Sequence, residues 1–213
     1  MVSALQIENI SYLPNFPIIV TAYTKDSHLG DYYQRAAVRL TKSCIKFNLK
    51  HIVYPLENAG NWIKGCNLKP TIILNALLTF NKPILWIDAD AEIFKHPQIF
   101  DQPDFDMALV SGEGNHWLSG TLYCNPKMIN FIKKWKEYTE SKTDSGIGDE
   151  ITLRDLYYNS DNSDRPKTKL LPQSYNTVVH STTDISTITI GHYIREDIAP
   201  LRKVVAVPIP SKL

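Results

Sequence analysis

The sequence predicts an α/β fold with a mixed, mainly parallel central sheet flanked by helices. Three short apolar segments, at residues 17–23, 51–54 and 83–90, alternate with segments whose apolar residues recur at helical spacing. This alternation is typical of parallel βαβ units, whose strands are buried on both faces and are therefore apolar throughout. The second half of the chain is less regular, which indicates that the sheet is mixed.

In the first half, apolar patterning predicts three strands separated by two helices and a loop. Pro70 lies where the second helix should begin, because proline lacks the N–H group that a first helical turn leaves unpaired. The predicted elements are a strand at 17–23, a helix at 32–47, a strand at 51–54, a loop at 55–66, a helix at 71–80 and a strand at 83–90.

In the second half, the predicted strands and helices no longer alternate strictly. The predicted elements are strands at 105–111, 120–125 and 188–192, helices at 128–138 and 150–158, and a polar loop at 161–169. No repeat or low-complexity tract is present, so residues 1–213 are expected to form a single domain.

The composition restricts the classes of function. Lys and Arg number 23 against 22 Asp and Glu, for a net charge of +1. Without a long basic run, strong nonspecific binding to nucleic acid is not expected. No apolar run approaches the roughly 20 residues of a membrane-spanning helix, so no transmembrane segment is predicted.

Compartment is inferred from the cysteines and from the N-terminus. Cys44, Cys66 and Cys124 are widely spaced and form no C-x-x-C pair, which argues against a zinc cluster or a disulfide framework. The N-terminus also lacks the basic and apolar segments of a signal peptide. A cytoplasmic location is therefore predicted.

The strongest chemical signal is the segment LWIDAD at residues 85–90. In an extended segment residues i and i+2 face the same side, so Asp88 and Asp90 should point into one site, roughly 7 Å apart. Ligands of open α/β sheets bind beyond the carboxyl ends of the strands. Because two close carboxylates repel each other, the pair indicates a hard cation such as Mg²⁺ or Mn²⁺, which also binds diphosphates.

The aspartate pair also has other interpretations. Two surface carboxylates could simply cap the next turn. A calcium loop that starts at Asp88 is excluded, because its sixth and twelfth positions hold Ile93 and Ile99 instead of Gly and Glu. A haloacid-dehalogenase-like phosphatase carries D-x-D after its first strand, whereas here at least two strands precede it. That Mg²⁺-dependent phosphatase and a non-catalytic nucleotide- or glycan-binding module remain the alternatives.

The chain resembles the GT-A glycosyltransferases, which take a sugar from a nucleotide-diphosphate donor. WIDADAEIF at residues 86–94 resembles their D-x-D stretch. The resemblance runs from about residue 17 to about residue 203. It implies a GT-A-like fold with a nucleotide-binding half at about 15–92 and a sugar and acceptor half at about 93–213. Further segments that resemble the family occur in its order: Lys69-Pro70, Ser119-Gly120, Asp149-Glu150, Leu171-Pro172 with Tyr175-Asn176, and Gly191-His192.

The resemblance implies a metal site for Mn²⁺ or Mg²⁺. Asp90 would bind the metal directly, and Asp88 would contact the ribose or reach the metal through a water. His192 would supply an imidazole ligand, with His180 as the alternative. Basic residues that follow His192 were expected to meet phosphate: Arg195, Arg202 and Lys203.

The resemblance also implies the residues that contact the donor nucleotide and sugar. Thr21 and Tyr23 would receive the base and ribose, although Tyr23 could equally lie at the edge of the core. Lys69 would balance the charge of the diphosphate, or lie solvated at the start of its helix. Gly120 would permit a close approach between the backbone and the sugar.

Asp149 and Glu150 are the candidate catalytic residues. Both lie at a predicted helix start, where a capping role is a sufficient explanation. In an inverting enzyme one of them would be the general base for the acceptor hydroxyl, and in a retaining enzyme it would orient the sugar. The late metal-binding histidine favours retention.

These observations predict a metal-dependent, hexosyltransferase-like glycosyltransferase. By family analogy its donor is a UDP-sugar. The acceptor hydroxyl is unidentified, and could belong to a glycan, a lipid-linked sugar, a protein or a modified nucleobase. Loops at 58–67 and 159–169 are expected to form the acceptor site.

Overall fold

A computed structural model describes residues 12–25 and 31–193 of the chain. The described residues form nine strands and five α-helices. The strands are β1 (Ile18–Thr24), β2 (His51–Leu56), β3 (Ile84–Ile87), β4 (Ala91–Ile93), β5 (Met107–Ser111), β6 (Trp117–Cys124), β7 (Thr168–Leu171), β8 (Thr177–Val178) and β9 (Ile190–His192). The helices are α1 (Tyr32–Lys46), α2 (Trp62–Cys66), α3 (Lys69–Phe80), α4 (Ile129–Lys142) and α5 (Asp149–Asn159).

Six strands form the central sheet, in the order β2-β1-β3-β6-β5-β7. β1 pairs in parallel with both β2 and β3, and β5 pairs in parallel with β7. β6 lies between β3 and β5 and is antiparallel to both. Five of the six strands therefore point the same way, which confirms the predicted mixed, mainly parallel sheet. The other three strands form a small sheet in the order β4-β9-β8.

Successive residues of the central strands are buried on opposite faces of the sheet. Ile18 and Val20 pack with residues of α3, α4 and α5, whereas Ile19 packs with α1 and the small sheet. This alternation follows from the twofold period of a strand. Full burial of one such side chain contributes about 1.5–3 kcal/mol to stability, so packing on both faces stabilises the sheet.

The D-x-D segment is a turn, and the predicted strand through Asp90 is wrong at its end. β3 stops at Ile87, and the amide of Ala91 donates to the carbonyl of Asp88 at 3.0 Å. The chain then enters β4, which leaves the central sheet and pairs with β9. The two aspartates are therefore brought together by a turn and not by the alternation of an extended strand.

Several short elements also differ from the predictions. The predicted loop at 55–66 contains α2, whose start is capped by the Asn61 side chain, and the predicted loop at 161–169 ends in β7. β4 and β8 were not predicted, because two or three residues are too few to show an alternating pattern. Elements of six residues or more were predicted with small shifts at their ends.

The described residues bear on the predictions for membrane-spanning helices and for cysteine pairing. None of the helices described is both long and apolar enough to cross a bilayer. The three cysteines, all in the described part, are unpaired.

Candidate functional site

Asp88, Asp90 and His192 come together at the carboxyl end of β3. Each offers a ligand atom, and the three atoms lie within 4.8 Å of one another. An octahedral cation with bonds of about 2.1 Å separates its ligand atoms by about 3.0–4.2 Å, so a small adjustment would close the site around one. The donor set of two carboxylates and one imidazole suits Mn²⁺ or Mg²⁺. The residues present therefore fit the predicted metal.

The pairing of β4 with β9 positions the histidine beside the aspartates. Ala91 is opposite His192 in this ladder, and the amide of Tyr193 donates to the carbonyl of Asp90 at 3.0 Å. The His192 ring is 3% exposed, with Nδ1 3.4 Å from Asp90 Oδ1 and Nε2 3.3 Å from Thr121 Oγ1. His192 is thus fixed over the turn, whereas the alternative ligand, His180, is exposed and lies outside the cluster.

The missing side chain of Gly120 allows two candidate ligands and Asn176 to pack closely against its backbone. A Cβ atom there would lie 2.7 Å from Asn176 Oδ1, 2.9 Å from His192 Cε1 and 3.3 Å from Asp88 Oδ2. Asn176 Oδ1 is buried and has no hydrogen-bond partner within the described part of the chain. An unpaired buried oxygen beside Gly120 fits a site for a cation or a ligand hydroxyl. Asn176 was not predicted as a site residue, although its L-P-x-x-Y-N segment was noticed.

Lys69 connects the metal-binding residues with a second acidic pair. Its Nζ lies 3.3 Å from Asp88 Oδ1 and 2.9 Å from Asp149 Oδ2, and it donates to Ser119 Oγ at 2.6 Å. Burial lowers the pKa of Lys69, but the charges of Asp149 and Asp88 outweigh this effect, and the net pKa is raised. The ammonium is therefore charged, buried and paired with carboxylates, and the alternative of a solvated lysine at the start of its helix is wrong.

Two side chains hold the Oδ1 oxygen of Asp88. Trp86 Nε1 donates to Asp88 Oδ1 at 2.6 Å, and Lys69 approaches the same oxygen. The other oxygen, Oδ2, is the one on the side of Gly120. Trp86 is itself buried, so it is a core residue that also orients a candidate ligand.

Asp149 and Glu150 begin α5 and differ in their surroundings. The Asp149 side chain is 5% exposed, and burial raises its pKa although Lys69 opposes the shift. Glu150 is 33% exposed, accepts from the Ser119 amide at 2.9 Å and lies 3.4 Å from His116 Nε2. Burial would raise the pKa of Glu150, but the His116 hydrogen bond and the Lys69 charge outweigh it, and the pKa is lowered. Glu150 is thus the ionised carboxylate that solvent can reach.

Neither acid is the N-cap residue of α5. Gly148 occupies that position and has no side chain with which to cap the helix. The two acids lie in the first turn, where the helix dipole favours negative charge. The capping explanation considered from the sequence therefore does not account for their contacts with Ser119, Lys69 and His116. His116 was not predicted as a site residue, since no motif contains it.

Thr21 lies near the carboxyl end of β1, and Tyr23 follows it on the same strand. Thr21 is 1% exposed, and its Oγ1 has no hydrogen-bond partner among residues 12–25 and 31–193. An unpaired buried hydroxyl at this end of the sheet fits a residue that receives a ligand group. Tyr23 is half-buried and lies opposite Pro55 of β2. Both residues predicted to contact the donor nucleotide are therefore in the half of β1 nearer the carboxyl ends of the strands.

The two loops expected to form the acceptor site lie at different ends of the sheet. Segment 58–67 is near the site, because Asn67 Nδ2 donates at 3.1 Å to the carbonyl of Ile147, just before α5. Segment 159–169 is at the opposite end: Lys167 accepts from the amide of Asp106, which precedes β5, beside the start of β3. The expectation for 159–169 is therefore wrong. Three basic residues expected to meet phosphate lie outside the described residues: Arg195, Arg202 and Lys203.

A groove of about 590 Å³ lies along the exposed face of α1. Arg35, Arg39 and Lys42 of α1 line it together with Glu92 of β4. None of the three candidate metal ligands borders this groove, so it lies behind the turn that carries Asp90 and is separate from the candidate site.

Comparison with known proteins shows a likeness of structure and not of sequence. No model of a known protein family matches the chain, and no curated protein matches it in sequence. The structure is similar to a glycosyltransferase involved in the glycosylation of the major capsid of PBCV-1, with a TM-score of 0.62 and 12% identity over 83% of this chain and 92% of that chain.

A second similar structure is the glycosyltransferase GlyE of Streptococcus pneumoniae TIGR4. The TM-score is 0.58, with 17% identity over 85% of this chain and 56% of the GlyE chain. At such identities the likeness establishes the fold, because one fold can carry many functions. The predicted GT-A-like α/β fold is confirmed.

Proposed function

We propose that this chain is a metal-dependent glycosyltransferase that moves a sugar from a nucleotide-diphosphate donor, a UDP-sugar by family analogy, to an acceptor hydroxyl. The observation that carries the proposal is the convergence of Asp88, Asp90 and His192 at the carboxyl end of β3. Such a group in a fold shared with solved glycosyltransferases is where a donor diphosphate would be received.

Asp90 and His192 would hold the cation, with Asp88 as a direct ligand or a contact to the ribose. When bound, a divalent cation supplies a Lewis acid that stabilises charge on the leaving diphosphate. Trp86 and Lys69 fix Asp88 Oδ1, so that Oδ2 is presented to the ligand side of the site. Mn²⁺ and Mg²⁺ both suit this donor set.

The donor would extend from the end of β1 to the space beside Gly120. In this proposal Thr21 and Tyr23, within the nucleotide-binding half at about 15–92, contact the base and ribose. The missing side chain of Gly120 lets the backbone approach both the ligand side chains and the sugar closely, and Asn176 Oδ1 accepts a hydrogen bond from a ligand hydroxyl. The sugar and acceptor half at about 93–213 supplies these last two residues.

Glu150 is the better candidate of the two acids for contact with the reacting sugar or acceptor. Its ionised, partly exposed carboxylate is fixed by the Ser119 amide and His116. Asp149 is buried against Lys69 and would act by holding that residue. In a retaining transfer, which we favour, Glu150 would orient the sugar and stabilise positive charge at the anomeric carbon.

Two further features of the prediction are part of this proposal. Residues 1–213 would act as a single glycosyltransferase domain. The unpaired state of all three cysteines is what a reducing compartment produces, which supports a cytoplasmic location. The acceptor class stays open among glycans, lipid-linked sugars, proteins and modified nucleobases.

The test is a thermal-shift screen of nucleotide sugars with and without Mn²⁺, followed by measurement of donor hydrolysis. We expect a shift that requires both Mn²⁺ and one class of nucleotide sugar, and hydrolysis that EDTA or Asp90→Asn abolishes. Hydrolysis that survives both treatments would contradict the metal-dependent mechanism. Turnover of an aryl phosphate with Mg²⁺ and no response to nucleotide sugars would identify a phosphatase. Saturable binding without donor consumption would identify a binding module.

A further inference from the structure

We propose that Arg39 is a positioning residue that fixes the spacing between Asp90 and His192. This inference rests on the proposed metal-dependent function. Arg39 belongs to α1, and no motif in the sequence includes it. Its guanidinium nevertheless contacts the chain segments on both sides of the candidate metal site.

The guanidinium of Arg39 makes three contacts. Nη2 donates to the main-chain carbonyl of Asp90 at 3.1 Å. Cζ lies 3.9 Å from the ring centroid of Tyr193, the residue after His192. Nε lies 3.9 Å from Glu92 Oε2 on β4. One planar group therefore joins the backbone of one candidate ligand to the neighbour of another.

Tyr193 closes this set of contacts into a ring. Its amide donates to the same Asp90 carbonyl at 3.0 Å, and its hydroxyl donates to Glu92 Oε2 at 3.0 Å. Tyr32, also on α1, donates from its hydroxyl to the Tyr193 carbonyl at 3.2 Å. The turn at Asp90 and the end of β9 are thus cross-linked to each other and to α1.

The ladder that joins the two ligand segments directly is short. β4 and β9 pair over three residues only, from Ala91–His192 to Ile93–Ile190. A bound cation tolerates displacements of its ligand atoms of only about 0.2 Å. Contacts that fix the backbone of Asp90 and the position of Tyr193 are therefore expected to determine how well the site fits a cation.

Arginine suits this position better than lysine would. Its planar group can stack on the Tyr193 ring and at the same time donate in its own plane to the Asp90 carbonyl. An ammonium group has no plane with which to do both. Arg39 also borders the groove along α1, which none of the candidate metal ligands lines, so its substitution removes no ligand atom.

The experiment measures the affinity for Mn²⁺ by the loss of the free Mn²⁺ electron paramagnetic resonance signal. Arg39→Lys and Arg39→Met are compared with wild type, with Asp90→Asn and with the control Arg35→Met. Arg35 lies one turn earlier on α1 and pairs with Asp31, away from the Asp90 turn. We expect the Arg39 variants to bind Mn²⁺ about 10–100-fold more weakly, as is typical when a partner that orients a ligand is removed. The Arg35 variant should stay within about twofold of wild type.

A kinetic measurement separates positioning from a general loss of structure. In the Arg39 variants the concentration of Mn²⁺ for half-maximal donor hydrolysis should rise by the same factor as the dissociation constant. Near-normal kcat should return at saturating Mn²⁺. If the Arg39 variants lower only the melting temperature in EDTA and keep wild-type Mn²⁺ affinity, the positioning role is overturned.

Other outcomes distinguish this inference from the function on which it rests. Mn²⁺ binding that Asp90→Asn leaves unchanged overturns the metal site itself, and the role of Arg39 with it. Binding lost in Asp90→Asn but unchanged in both Arg39 variants overturns only the role of Arg39. If the Arg39 variants fail to fold, Tyr193→Leu provides the test, because it removes the ring on which the Arg39 guanidinium stacks and keeps the main-chain bond to Asp90. Tyr193→Leu should then weaken Mn²⁺ binding several-fold, and wild-type affinity would refute the proposal.

Discussion

Replacing Gly120 with alanine should remove cation binding while leaving the protein folded. The new Cβ atom would lie 2.9 Å from His192 Cε1 and 2.7 Å from Asn176 Oδ1. Since ordinary contacts of this kind begin at about 3.4 Å, the imidazole must move by about 0.5 Å, more than twice the displacement of about 0.2 Å that a metal ligand tolerates. His192 is 3% exposed and has little free space in which to move.

The cost to folding should be much smaller than the cost to metal binding. Overpacking by one methyl group in a buried site costs about 1–3 kcal/mol of the free energy of unfolding. Two of the side chains that would be displaced, His192 and Asp88, are candidate ligands. Their displacement should weaken Mn²⁺ binding by about 100-fold or more, at the upper end of the effect of removing a partner that orients a ligand. Isothermal titration with Mn²⁺ measures the second effect, and urea unfolding monitored by circular dichroism measures the first.

Gly65→Ala is a matched control for this prediction. Gly65 lies within α2, and a Cβ there would meet only Thr24 Cγ2 at 3.9 Å, an ordinary contact. Mn²⁺ affinity of the Gly65 variant should equal that of wild type. Wild-type affinity in Gly120→Ala as well would refute the placement of His192 and Asp88 around one cation.

Two further predictions concern the acidic pair. Lys69→Met should lower the free energy of unfolding by about 3–5 kcal/mol in urea titrations, because it leaves the buried carboxylate of Asp149 without its partner; a loss below about 1 kcal/mol would contradict the pairing. Glu150→Gln should reduce the kcat of sugar transfer by about 10²–10³-fold, as the loss of one group that stabilises charge in the transition state does, and should lower the melting temperature modestly at neutral pH. Because the pKa of Glu150 is lowered in the folded state, its stabilisation should be complete above the usual value of 4.5 and be lost as the pH falls below it. Melting curves of wild type and Glu150→Gln should therefore converge in acid, and a constant gap would contradict the assignment.

Sequence patterns predicted the features that depend on local order. β1, α1 and α3 were predicted because each is long enough for its apolar residues to show a period. The aspartates were recognised because an apolar strand leads directly into them. Their geometry was not predicted correctly, since a turn closed by the Ala91 amide has the same residue composition as a strand end.

Other features of the site depend on contacts between distant parts of the chain. β4 and β9 meet across about one hundred residues, and although a strand at 188–192 was predicted, nothing in the sequence showed that it pairs with β4. The burial of Lys69 was not predicted, because its carboxylate partner Asp149 lies eighty positions later. Arg39 looks like any exposed-face arginine of an amphipathic helix until its contact with the Asp90 carbonyl is seen. Such pairings are properties of the fold and cannot be obtained from spacing.

The balance of charge in the candidate site constrains the order in which ligands bind. Asp88, Asp90, Asp149 and Glu150 place four carboxylates there, and among the described residues that contact them only Lys69 supplies a buried ammonium. A diphosphate that approached this arrangement alone would meet a net negative field in a partly desolvated site, where repulsion is strong. A divalent cation cancels the two negative charges of Asp88 and Asp90 and offers its own open coordination positions to the diphosphate, while Asp149 stays neutralised by Lys69. The donor should therefore bind only after or together with the cation, which is why a nucleotide sugar without Mn²⁺ is expected to leave the melting temperature unchanged.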